Sequence, residues 1–252
     1  MIANYQLARN EFSLDMKSCD TQFDQELLKI PHYQHHPEML PFIGKNYCNK
    51  RKRVLLVGES HYLTHAKKNQ VSADYIALNW YEKVLHFNNP NNIFYKDFKN
   101  YTTRGILKSF IESKKDGSGW IIFSNPIRAY YNEDHVNHFH IHDFAFINFY
   151  QRPAFEFGKS INTTEEEKKL NLKEKDNSVA CETLQAVINI ISPDIIIFFS
   201  KKAYNSFVLN DSDITPVRIP HPTCPWWNRA TKHNKKGKET FKEILFDAWG
   251  QI

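Results

Sequence analysis

The stretch RVLLVGESHY, Arg53 to Tyr62, decides how the rest of the sequence is read. Four apolar residues, Val54 to Val57, run into a glycine and then into a polar, hydrogen-bonding cluster. A short apolar run bounded by turn residues predicts a strand covered on both faces, as in a parallel sheet; a buried helical turn has the same periodicity. Open α/β sheets bind ligands beyond the carboxyl ends of their strands, so Gly58, Glu59, Ser60, His61 and Tyr62 stand where chemistry is usually found. The plain alternative is an ordinary strand-to-loop turn with surface polar residues.

Working outward, AFINF (Ala145 to Phe149) is a second strand, stopped by Gln151, Arg152 and Pro153. Ser178 opens a helix with Val179, Leu184, Val187, Ile188 and Ile191 on one side; Pro193 ends it, and IIIFF (Ile195 to Phe199) is a third strand. A helix followed by a strand is half of a βαβ unit, whose right-handed crossover favours a parallel sheet. A short helix around Ala203 to Leu209 leads to a fourth strand, VRIP (Val217 to Pro220). The chain then turns through HPTCPWWNR (His221 to Arg229) into a last amphipathic helix, Phe241 to Trp249. Between the first two strands, Ser72 is an N-cap for a helix through Phe87, broken by NNPNN, and a second helix runs from Thr103 to Ser113. WIIFSNP (Trp120 to Pro126) reads as a strand of an insertion or of the sheet edge. The block EEEKKLNLKEKD (Glu165 to Asp176) reads as a solvated charged helix or loop that needs no partner.

These elements predict one α/β domain over residues 1–252, a three-layer α/β/α arrangement with a short, mostly parallel central sheet. Residues 1–50 form an arm with a helix near Asp20 to Ile30 followed by an irregular crossing, 53–229 the motif-bearing core, and 230–252 a C-terminal helix. The length allows a proper core. The 33 Lys and Arg against 28 Asp and Glu leave +5, which permits a polyanionic partner without demanding one. Aromatic residues make up 14%, either a bulky core or platforms for stacked bases.

Cys19, Cys48, Cys181 and Cys224 are far apart, which suggests neither a disulfide framework nor a zinc ribbon and fits a reducing cytoplasm. The start lacks the pattern of a signal peptide, and no apolar run approaches the ~20 residues of a membrane span. His32, His35 and His36 are a candidate metal cluster or a solvated loop. Likewise His138, His140 and His142, if extended, share one face that suits a transition metal, or belong to a polar strand face or loop. No metal site is assigned from either.

Three strand ends carry distinctive polar residues: GESHY after the first, Asn148 within FINFYQRP at the second, and HPTCPWWNR after the fourth. In order and spacing, over Arg53 to Arg229, they resemble the uracil-DNA glycosylase superfamily, nearest in style to the branches whose first motif begins Gly-Glu. The resemblance implies that superfamily's fold and a DNA partner whose damaged base, uracil or another deaminated base, is flipped into a strand-end pocket and cut from its sugar. Asn148 matches the residue that reads the base edge, for which an amide offers donor and acceptor side by side. His221 matches the histidine that stabilises the departing base, a role needing a well-aimed donor. Gly58 leads the first motif, Tyr62 falls where a tyrosine lies against the base, and Tyr101, three residues before Arg104, is assigned to stack on it. Trp226 and Trp227 follow His221 where the superfamily presses a wedge into the duplex. Arg104, Arg152 and Arg229 complete the expected DNA contacts.

The departures define the alternatives. Ser60 stands where the best-known branch has an acidic residue that handles water, leaving Glu59 or Ser60 for that task. His61 replaces a proline. Gln151 replaces a cysteine of the iron-sulfur branch, so no cluster is expected, nor any other cofactor. Without the acid, the same pocket is a non-catalytic nucleotide or nucleic-acid site. A third possibility, a serine esterase built on Ser60, lacks the second glycine of a nucleophile elbow, because Tyr62 stands there.

Overall fold

The apolar run Val54–Val57 points its side chains alternately into two cores, Leu55 and Val57 into one and Val54 and Leu56 into the other, as the two-residue period of a strand requires. The computed structural model describes residues 18–62, 73–81, 102–113, 120–131, 137–155, 159–208, 214–230 and 235–251. In chain order these form α1 (Asp24–Leu27), α2 (Pro31–His35), β1 (Phe42–Ile43), β2 (Val54–Tyr62), α3 (Ala73–Asn79), α4 (Thr103–Glu112), α5 (Ile121–Tyr131), β3 (Ala145–Ala154), α6 (Glu165–Lys169), α7 (Lys173–Ile191), β4 (Ile195–Phe198), α8 (Lys201–Ser206), β5 (Val217–Arg218) and α9 (Gly237–Trp249). The strands make one sheet in the order β1-β3-β2-β4-β5, parallel except for the antiparallel edge β1.

Each sheet face carries its own helical layer. Leu27 of α1, Tyr33 of α2, Leu184 and Val187 of α7 and Ala203 of α8 pack on the face of Leu55, Val57, Ile147 and Phe198. Leu107 of α4, Phe123 and Ile127 of α5 and Phe241 of α9 cover the face of Val54, Leu56, Phe146 and Ile197. The fold is therefore α/β with three layers, as the sequence predicts. Among the described residues no helix is long and apolar enough to cross a membrane.

Several local expectations are corrected. WIIFSNP is not a strand: Ile121–Tyr131 is helical through Pro126, and Phe123, Ile127 and Tyr130 face one core. Four consecutive apolar residues fit either element, and the apolar spacing beyond Pro126 decides for the helix. The segment His138–Asp143 is a 3-10 helix rather than an extended chain. Its imidazoles diverge, His138 onto Phe110 (ring centroids 4.4 Å), His140 onto Tyr131 (3.6 Å) and His142 beside Phe42 (5.8 Å). Residues 31–35 form α2 with Pro31 in its first turn, and His32 and Tyr33 are buried. The N-terminal helix shrinks to Asp24–Leu27, whereas α7 begins at Lys173, before Ser178, and α9 at Gly237. Ser72 and the helix beyond Tyr81 lie outside the described residues.

The charged block 165–176 also differs. Glu167 and Asp176 are buried, holding the guanidinium of Arg152. Arg152 donates from Nε and Nη2 to the two oxygens of Asp176 at 3.0 and 2.8 Å and from Nη1 to Glu167 at 3.3 Å. This two-pronged geometry suits a planar guanidinium facing a carboxylate.

Strand β3 continues through Pro153, and its pairing with β2 is irregular: Ser60 lies opposite Tyr150 but Tyr62 opposite Ala154. The Gln151 side chain closes this bulge, donating to the carbonyls of Asn148 (2.8 Å) and Phe149 (3.0 Å). Bulges of this kind re-aim side chains at a sheet's end.

Candidate functional site

Parallel pairing brings the carboxyl ends of four strands to one edge. Gly58 lies opposite Asn148, Val57 opposite Phe198, and Phe198 opposite Arg218. The chain leaving β5 reaches His221 three residues beyond Arg218, with its ring centroid 6.5 Å from that of Phe199. Asn148 and His221, 73 positions apart in the sequence by subtraction of their numbers, therefore stand at the same end of the sheet. Strand order reverses across β2, the place where α/β sheets open a crevice.

Asn148 lies over Gly58. A Cβ on Gly58 would fall 2.3 Å from Asn148 Oδ1 and 2.9 Å from Phe146 Cζ, so only glycine leaves room for the amide. The other end of that amide, Nδ2, lies 3.4 Å from Nδ1 and 3.3 Å from Nε2 of His61, whose Nε2 is also 3.3 Å from Thr103 Oγ1 at the start of α4. His61 is buried at 3% exposure.

His221 is held by its own motif. Thr223 donates its backbone N–H to His221 Nδ1 at 3.2 Å, and its hydroxyl lies 2.8 Å from the same atom. A nitrogen that accepts a backbone N–H carries no proton, so the neutral ring is protonated at Nε2. Burial pushes the imidazole below its ordinary value, partly opposed by the Glu59 carboxylate. The result is a neutral ring with a fixed N–H donor.

Glu59 points to the face of α7 and α8. Its Oε2 accepts from Ser200 Oγ at 2.6 Å and its Oε1 from Ser160 Oγ. Ser200 also caps α8, its Oγ accepting from the Ala203 N–H at 3.2 Å. Nearby, Lys202 donates to the Ile161 carbonyl and lies 5.5 Å from the Tyr150 ring centroid; burial lowers its ammonium below the ordinary lysine range, against the pull of Glu59. Ser160, Ser200, Lys202 and Thr103 were not assigned from sequence, and His61 was noted at the strand end but given no role. Ser200 carried a signal: like Gly58, it follows an apolar strand directly.

The remaining expected residues divide. Ser60 is 6% exposed, and its Oγ has no hydrogen-bond partner among the described residues, so no base is in place to take its proton. Tyr62 is half-buried against the α7-side core, its hydroxyl pushed up by burial and then by Glu59. Tyr101 lies outside the described residues. Trp226 is 54% exposed and Arg229 is exposed, both on the His221 loop.

Three expected DNA contacts are corrected. Trp227 is 2% exposed and packs on Phe241. Arg104 is buried, forked onto Asp24 at 2.8 and 2.6 Å, with Nε donating to the Pro41 carbonyl. Arg152 is enclosed by Asp176 and Glu167. Neither guanidinium is presented to a phosphate.

Away from this edge, a cavity of about 280 Å³ between α2 and α7 is lined by His32, His36, Trp80, Tyr81 and Thr183, among others. His36 stacks on Trp80 (centroids 4.4 Å) and donates from Nε2 to the Trp80 carbonyl at 2.7 Å, which leaves its Nδ1 to share one proton with Glu38 at 2.9 Å. Among the described residues no group of three or more His, Cys, Asp or Glu is placed to hold a metal ion.

Comparisons with family models, curated proteins and solved structures gave no match. The likeness to the uracil-DNA glycosylase superfamily thus rests on the sequence motifs alone.

Proposed function

We propose that this chain takes an unstacked nucleobase into the strand-end site and, as a DNA glycosylase-like enzyme, hydrolyses the bond between base and sugar. What supports this is the pairing of Asn148, an amide with donor and acceptor side by side, with His221, a neutral imidazole whose Nε2–H is the donor a departing base requires, at one end of the sheet. Glu59, at the same edge, is the carboxylate for water. Trp226 and Arg229 are the exposed side chains that would meet DNA. The four cysteines are thiols rather than disulfides, which suits a reducing, cytoplasmic setting.

A uracil-containing oligonucleotide incubated with the protein is expected to acquire alkali-sensitive abasic sites. Asn148→Ala and His221→Ala should each slow their formation by about 10²- to 10³-fold, the size of losing one preorganised donor. Absence of cleavage at uracil, hypoxanthine, xanthine and alkylated bases would remove the proposal.

A second function has its own support. Both oxygens of Glu59 are engaged by serine hydroxyls, and Ser60 stands where the superfamily has its acid. The same pocket without a free carboxylate is a binding site for a nucleotide or strand end. Salt-sensitive binding to single strands without product, retained in His221→Ala, would identify it.

A further inference from the structure

The cavity between α2 and α7 shares no lining residue with the strand-end site, and its wall includes a buried ring nitrogen that no described residue satisfies. We propose that this cavity binds a small uncharged aromatic molecule carrying a hydroxyl, or an equivalent group that both donates and accepts, through the ring of His32. The proposal does not depend on the base-binding role of Asn148 and His221.

The volume of about 280 Å³ exceeds the ~150 Å³ that holds benzene and approaches the ~300 Å³ at which ligand clefts begin. His32, His36, Trp80 and Tyr81 line it with rings, and Val179 and Ala186 of α7 add aliphatic surface. Two of these rings have their polar atoms committed. His36 is held between the Trp80 carbonyl at 2.7 Å and Glu38 at 2.9 Å, and the Tyr81 hydroxyl donates to Asp176 at 2.7 Å.

His32 differs. It is 7% exposed, its ring centroid lies 5.0 Å from that of His36 and 6.4 Å from that of Tyr81, and its Nε2 has no hydrogen-bond partner among the described residues. A buried polar atom of this kind costs stability until something supplies the bond. The cavity at the same ring gives that group room.

The chemistry of the wall selects the ligand. Burial, and after it the imidazoles of His36, His35 and His61, hold His32 neutral. Lys175 and Glu182, the charged residues of the lining, are exposed and opposite in sign, so the wall does not call for an ion. A neutral imidazole offers one N–H and one lone pair, and a hydroxyl satisfies Nε2 whichever of the two it carries. The surrounding rings favour a flat apolar body, packed edge-to-face or offset against them.

The test uses ¹⁵N-labelled full-length protein at neutral pH, with phenol and toluene as probes of one shape with and without a hydroxyl. Phenol is expected to shift the His32 ring nitrogen signals. His32→Phe, which keeps a ring without nitrogen, should weaken phenol about tenfold, the loss of one hydrogen bond, and leave toluene binding unchanged. Ala186→Leu, which fills the cavity without touching an imidazole, should abolish binding of both probes. His32 signals unmoved by phenol up to its solubility limit overturn the proposal, and this measurement on the wild type stands even where a variant does not fold. Equal phenol affinity in His32→Phe and wild type, equal losses of phenol and toluene in that variant, or undiminished phenol binding in Ala186→Leu overturn it as well.

Discussion

At the residue scale, the site is made of small polar groups placed by neighbours that range from two positions away, as Thr223 is from His221, to 141 positions away, as Ser200 is from Glu59. Thr223 is two residues from His221 and exposed, yet it fixes which ring nitrogen is protonated. Thr223→Val removes the hydroxyl at 2.8 Å and leaves the backbone bond, so base release is expected to fall by about tenfold, the effect of weakening one such hydrogen bond by ~1.4 kcal/mol. Thermal unfolding of that variant should be unchanged. Motif order assigned Asn148 within the second strand and His221 after the fourth, and the structure sets both at the carboxyl edge of the sheet, in β3 and beyond β5. Arg104 and Arg152 were misread because a sequence does not distinguish an arginine facing phosphate from one enclosed by carboxylates. Asp24 lies 80 positions before Arg104, and Asp176 lies 24 after Arg152.

At the element scale, Arg152 ties three parts of the fold: the bulged end of β3, the short helix α6 through Glu167, and the first turn of α7 through Asp176. Tyr81, just beyond α3, donates to the same Asp176 oxygen at 2.7 Å, and Asn162 to the other at 2.8 Å. Arg152→Ala leaves two buried carboxylates unpaired and should destabilise by about 3–5 kcal/mol, read as a lower urea midpoint at unchanged slope. The strands β2, β3 and β4 and the helices α4 and α7 were legible from apolar runs and spacing. Helix α5 and the 3-10 turn His138–Asp143 were not. In both, a local pattern compatible with extension is overruled by packing, of Phe123 onto Phe146 (centroids 5.1 Å) and of His138 onto Phe110.

For the whole molecule, three histidines from different regions share one property. Burial is the first cause lowering His32, His142 and His221 below the ordinary imidazole value. Their neutral forms are favoured in the folded chain, so the unfolded chain binds more protons below about pH 6.5. This stabilisation is complete above that pH and is lost as the pH falls through the depressed folded values. For buried His32 the slope reaches at most about 1.4 kcal/mol per pH unit. Melting temperature should be flat from pH 8 to 7 and fall below about pH 6.5, with a shallower fall in His32→Phe. Composition and charge gave no hint of this, because burial of a histidine is a tertiary fact.

Ser200 has one hydroxyl in two circuits, giving its proton to Glu59 and its lone pair to the first turn of α8. Whatever draws the Glu59 carboxylate away, or neutralises it, leaves that hydroxyl free to rotate and loosens the helix start. A ligand at the proposed strand-end site would thus have a remote signal: the Ala203 amide would exchange with deuterium at a rate set by what Glu59 is holding.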